Sequence, residues 1–218
     1  MLIILRGIVL VMAIFFYNVR ASKVGIFVFA VLICAATPTL AANADGRFAV
    51  RGNGADRCDA YQAALTAKDA VKIDRYAAWL MGYVSASNRL IAKTFDTLPT
   101  LAGADMLGIV AVVCRSQPAA TVETAAAQSL NAISVVRLLR DTPAVSVVSD
   151  GKSLQIRSEA IATLQVNLAA KKLYNGPTDG AFSPQLAKAI KTFQSLERLP
   201  ASGLPDVDTI IRAGLVKR

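Results

Sequence analysis

Between residues 56 and 140 the apolar positions recur at three- and four-residue steps, the spacing that lines up one face of an α-helix. The clearest run is Tyr76, Trp79, Leu80, Tyr83, Val84, Ser87, Leu90 and Ile91, which predicts a long amphipathic helix from about Asp74 to Lys93. A helix over Asp56 to Lys68 is expected before it, and two more, over Ala104 to Arg115 and Thr121 to Arg140, after it. Pro99 with Gly103, and Pro118, mark the breaks. Four helices make a small bundle over residues 45–142. The helical period then lapses from Asp141 to Ser153. Pro143 and the pair Asp150-Gly151 punctuate that stretch; Val145, Val147 and Val148 allow a small hairpin, and a linker over 143–153 is the preferred reading.

The period returns over residues 154–218. Ile161, Leu164 and Leu168 make one apolar stripe, and Leu186, Ile190 and Phe193 another, with Lys188, Lys191 and Ser195 off it. Ser183 offers a hydroxyl to an orphan amide at the start of the second helix, and Pro184 at the first helical position has no amide to satisfy. Val207, Ile210 and Ile211 form a third, shorter face after Asp206, another capping residue. The turn Pro177-Thr178-Asp179-Gly180 returns as Pro200-Ala201-Ser202-Gly203, 23 residues on, so two copies of helix, turn, helix are expected. Gly180 and Gly203 fall where a positive φ would cost another residue about 1–2 kcal/mol.

Tyr174-Asn175-Gly176-Pro177-Thr178-Asp179-Gly180-Ala181-Phe182, followed by Ala189, Phe193-Gln194, Leu199-Pro200, Gly203 and Asp208-Thr209, resembles the small helical peptidoglycan-binding domain of bacterial cell-wall proteins. The resemblance spans the last quarter of the chain. It implies a three-helix module that holds a wall fragment in a shallow cleft between the helices and the Tyr174–Gly180 loop. The ligand-binding residues expected on that basis are Tyr174, Asn175, Asp179, Phe182 and Gln194. Each has a plainer explanation: Asp179 beside Gly180 suits any tight turn, and Phe182, like Phe193, suits a core. Ser183 and Leu186 stand where the family usually has Gly and Thr.

The N-terminus changes the expected location. Residues 2 to 17 and 24 to 36 are apolar, but neither run reaches the roughly 20 residues of a spanning helix, and Arg6 interrupts the first. Arg20 and Lys23, the apolar stretch Val24 to Ala36, and small residues at Thr39-Leu40-Ala41 or Ala42-Asn43-Ala44 read as a secretory signal peptide over 1–44, with translation starting at Met1 or Met12. An uncleaved anchor is the alternative, and the membrane is a partner only in that case. Loss of Cys34 with the signal leaves Cys58 and Cys114, an even pair in an oxidising compartment. A disulfide would tie the first helix to the third; two buried thiols are the other reading.

Formal charge is +9, and beyond the first 44 residues 15 acidic side chains remain against 21 basic ones. That balance suits an anionic wall or membrane face; without a basic run interleaved with aromatics, nucleic acid is not expected. The chain has no histidine, which removes Ser-His-Asp and Cys-His nucleophiles and histidine-ligated zinc. Arg51-Gly52-Asn53-Gly54 lacks the lysine and hydroxyl of a phosphate loop. A glycosidase needs only two carboxylates, and Glu123 and Glu159 are the candidates for that alternative. Cys58, then Tyr76-x-x-Trp79-Leu80-x-Gly82-Tyr83, then Cys114 ahead of Gln117-Pro118 resemble, more weakly, the disulfide-tied periplasmic helical proteins of the HdeA type and related immunity proteins, which implies a protein-binding or chaperone role. The expected protein is mostly α-helical, periplasmic or secreted, and non-enzymatic, with no cofactor or metal. Its partners would be peptidoglycan and a periplasmic protein.

Overall fold

The computed structural model describes residue 43 and residues 45–215. The expected signal peptide, Cys34 included, lies outside the described residues apart from position 43. No helix among the described residues is long and apolar enough to cross a membrane.

Among the described residues there are seven α-helices and one hairpin: α1 Cys58–Thr66, α2 Ala70–Leu90, α3 Gly103–Ser116, α4 Val122–Ala132, β1 Ala144–Ser149, β2 Lys152–Arg157, α5 Ser158–Ala170, α6 Pro184–Leu196 and α7 Val207–Leu215. The fold is mostly helical, as the periodicity predicts. α2 begins a turn earlier than expected because Asp69 caps it, accepting from the Lys72 amide at 3.1 Å. Thr121 caps α4 in the same way.

The Cys58–Cys114 disulfide forms, joining the first residue of α1 to α3. Around it the Cys58 amide donates to Ala120 O at 2.9 Å and the Val122 amide to Asp56 O at 2.9 Å, so the α3–α4 loop closes on the start of α1. Tyr61 and Tyr76 meet edge to face at 4.8 Å in the bundle core, and the Tyr61 hydroxyl donates to Leu107 O. Trp79 stacks on Tyr83 at 5.3 Å and donates from Nε1 to Arg51 O. The glycines at 52 and 54, empty of phosphate-loop chemistry, instead let the chain lie across the indole: a Cβ on Gly54 would sit 2.0 Å from the ring.

Two expectations need correction. The fourth helix, expected to reach Arg140, ends at Ala132. Ile133, Val135 and Val136 are β-branched and favour helix poorly, and Leu138 goes extended to exchange backbone bonds with Asp96 while its side chain is buried. The stretch expected as a linker, 143–153, is instead most of a hairpin. Asp150 and Gly151 take φ of 48° and 72°, the paired positive values of a type I′ turn. Val145, Val147 and Ser149 point inward, and the pairing runs from Ala144–Arg157 to Ser149–Lys152.

The hairpin joins the bundle to the C-terminal helices. Thr100 bridges Ile156, the Arg157 guanidinium lies 4.6 Å over the Phe95 ring, and a single cluster of buried residues runs from Cys58 to Ala213. Glu159, at the start of α5, turns a buried carboxylate onto the amides of Leu139 and Arg140, at 3.1 and 2.9 Å. Asn88 on α2 fixes the 95–98 loop: it donates to Asp96 and accepts from the Thr97 amide and hydroxyl.

Candidate functional site

The C-terminal helices carry two loops built to one plan. In the first, Gly180 has φ 78° and its amide donates to Gln165 Oε1 at 2.9 Å, while Gln165 Nε2 donates to Asp179 Oδ1 and Ala181 O. In the second, Gly203 has φ 72° and donates to Gln194 Oε1 at 2.8 Å, while Gln194 Nε2 donates to Ser202 Oγ and Leu204 O. Asp179 and Ser202 each also accept from the amide two residues on. The echo in the sequence is thus a repeated hydrogen-bonded motif: a helix-borne glutamine reads the three residues around a left-handed glycine.

Each loop leans on a neighbour. A Cβ at Gly180 would lie 2.6 Å from Ser158 O, and one at Gly203 would lie 2.7 Å from Ser149 Oγ. Ser149 donates to Ser202 O at 2.7 Å and Lys191 pairs with Asp150 at 2.7 Å, so the hairpin is part of the support of the second loop. The start of α6 is as expected, with Ser183 Oγ accepting from the Leu186 amide and Pro184 at the first position. Leu186, where the family usually has Thr, is fully buried. Asp206 accepts from the Thr209 amide at 2.9 Å and starts α7.

Two shallow depressions lie side by side along the outer face of α6, and Lys188 belongs to both. One, of about 270 Å³, is lined by Tyr174, Asn175, Gln185, Lys188 and Thr192 among others. The other, of about 480 Å³, is lined by Val148, Phe182, Ser183, Pro184, Lys188 and Lys191. Residues 157–212 match the family model described as a "Putative peptidoglycan binding domain".

The C-terminal stretch of the chain is thus similar to a peptidoglycan-binding domain. The match takes in α5, α6, both glycine loops and most of α7, about a quarter of the whole chain. No curated protein and no solved structure matches the chain significantly.

Within the matching stretch the five residues expected to meet ligand separate. Tyr174 and Asn175 line one depression and Phe182 the other. Tyr174 is nonetheless mostly buried: its hydroxyl donates to Pro177 O at 3.0 Å, and only a glycine at 176 leaves room for it, since a Cβ there would lie 2.4 Å from that oxygen. Asn175 is exposed and accepts from Gln185 Nε2 at 2.7 Å. Asp179 lines neither depression; bonds from the Ala181 amide and from Gln165 hold its carboxyl below the usual range, the signature of a loop anchor. Gln194 also lines neither. It is fully buried, with Nε2 bonded to Ser202, Leu204 and Thr209 and Oε1 to Gly203, so no part of it faces a ligand. Sequence reasoning missed Gln165, its counterpart, and also Gln185, which lines the first depression, and Lys188, which lines both. The loop echo was the available signal for Gln165; the polar side of the α6 stripe was the signal for the other two.

The carboxylates of the glycosidase alternative are engaged elsewhere. Glu159 holds backbone amides, and Glu123 accepts from the Tyr83 hydroxyl at 3.1 Å.

Proposed function

We propose that this is an exported, non-catalytic cell-wall protein that holds peptidoglycan along the outer face of α6 and presents its disulfide-tied bundle to a protein partner in the periplasm or outside the cell. One observation supports the reading above others. The stretch matching a peptidoglycan-binding domain has two adjoining depressions on one helix face, framed by the loop that the resemblance singles out. Phe182 offers a flat apolar surface for a sugar ring, Asn175 and Gln185 offer amides for hydroxyl and acetamido groups, and Lys188 offers a cation to the carboxylates of wall peptides. Export agrees with the Cys58–Cys114 disulfide, which persists in oxidising compartments.

The test is co-sedimentation of the full chain with purified cell-wall sacculi, beside an unrelated basic domain of equal charge. Phe182→Ala and Lys188→Glu alter exposed or half-buried positions and leave both glycine loops intact. Each is expected to lower the bound fraction several-fold. A wild-type fraction no larger than that of the basic control, or variants that bind as wild type does, would overturn the assignment of this face.

A further inference from the structure

A separate pocket opens in the bundle between α2, α4 and the 3-10 turn Ser134–Val136, far along the chain from the glycine loops. Its volume is about 260 Å³. Arg137 lines it, with Tyr83, Asn131, Ser134, Ile91 and Leu130. The guanidinium is half-buried and no carboxylate pairs with it among the described residues. Nη1 donates to Ser134 O at 2.9 Å, and Nε is buried with no hydrogen-bond partner among the described residues. The side chains of Asn131 and Ser134 make no hydrogen bond among the described residues either. The hydroxyl of Tyr83, which lines the pocket, donates to Glu123, and no acidic residue among those described lines the pocket itself.

A cation withdrawn from water is ordinarily paired. The Ser134 carbonyl that accepts from Nη1 offsets part of the charge. The remainder, with a free amide and a free hydroxyl in the same concavity, is the donor set of an anion site. A planar guanidinium suits carboxylate and phosphate alike. The other wall decides between them, because Ile91, Ala127 and Leu130 would be left facing a bare phosphate but would cover a short aliphatic group. We infer that this pocket binds a small organic carboxylate, its oxygens on Arg137, Asn131 and Ser134 and its aliphatic part on Ile91 and Leu130.

Calorimetric titration of the full chain with N-acetylalanine tests this, with the uncharged N-acetylalaninamide and inorganic phosphate as parallel titrants. Saturable binding of N-acetylalanine is expected, with the amide and the Arg137→Gln variant at least about tenfold weaker. Arg137 also supports the turn after α4, so Asn131→Ala, on an exposed position, serves as the second variant and is expected to weaken binding several-fold. Absence of saturable binding, equal affinity for the amide, tighter binding of phosphate, or affinity unchanged in both variants would each overturn the inference.

Discussion

Gln165 and Gln194 each commit a whole side-chain amide to one loop, and that commitment carries an energetic forecast. Gln194→Ala would strand the Gly203 amide, the Leu204 carbonyl and the Thr209 hydroxyl in a place water does not reach. With about 1–3 kcal/mol for each orphaned buried group and partial relaxation, the loss should come to about 2–4 kcal/mol, measured as a lowered urea midpoint. A variant as stable as wild type would mean the loop stands without its glutamine. This residue also shows where the sequence stops informing. A polar side chain inside an apolar stripe, next to Phe193, fits a ligand-lined cleft and an internal latch equally, because both require a hydrogen-bonding group on the inward face. The partner that decides, Gly203, is set by a tertiary fold the stripe does not encode. Tyr174 was readable in part: its loop was recognised, but the hydroxyl's turn inward onto Pro177 was not.

At the scale of elements, three helices stop on the same device without the residue that usually serves it. After α1, α5 and α6 the chain enters the left-handed region at Lys68, Lys172 and Arg198, with φ of 52°, 60° and 57°. The next amide in each case reaches back to close the helix: Asp69 to Ala64, Leu173 to Leu168 and Leu199 to Gln194, at 3.1, 2.9 and 2.8 Å. This is the Schellman ending, where glycine has no Cβ penalty. Lys172→Gly and Arg198→Gly should therefore each stabilise the protein by about 0.5–1 kcal/mol, additively, in equilibrium unfolding. A loss of stability in both would show that the long side chains contribute more than the strain they carry. The same elements explain what was legible. Helix starts were, since Ser183, Pro184, Asp206 and Thr121 announce themselves by chemistry. Helix ends on Lys and Arg were not, as those residues carry no stop signal. The hairpin was half legible: Asp150-Gly151 marks its turn, but a strand pair this short reads as a linker until Thr100 and Phe95, distant in sequence, are seen to cover it.

For the molecule as a whole, the informative place is the seam where bundle and C-terminal domain meet. Asp105 on α3 faces Asp206 and Asp208 at the start of α7, and accepts from the Thr100 hydroxyl. Burial pushes its carboxyl above the ordinary aspartate range, and the two neighbouring acids push the same way, against the Thr100 bond. A folded-state pKa above the unfolded one means the folded chain holds that proton more tightly. Its effect favours folding at low pH and is lost as pH rises from the ordinary aspartate value through the raised one. Asp105→Asn should raise the unfolding free energy at neutral pH and leave it unchanged well below the carboxylate range, a difference that urea titrations at the two pH values would read. An equal effect at both would trace it to something other than charge.

That seam is fastened at several points: Thr100 on Ile156, Glu159 on the backbone of Leu139 and Arg140, and Val136 beneath Gly214, where a Cβ would lie 2.4 Å from a methyl. Such a joint works as a bracket rather than a leash. Murein gripped on α6 would fix the tilt of the whole bundle, so a partner would meet it at one standoff from the mesh instead of fishing for it on a swinging cord.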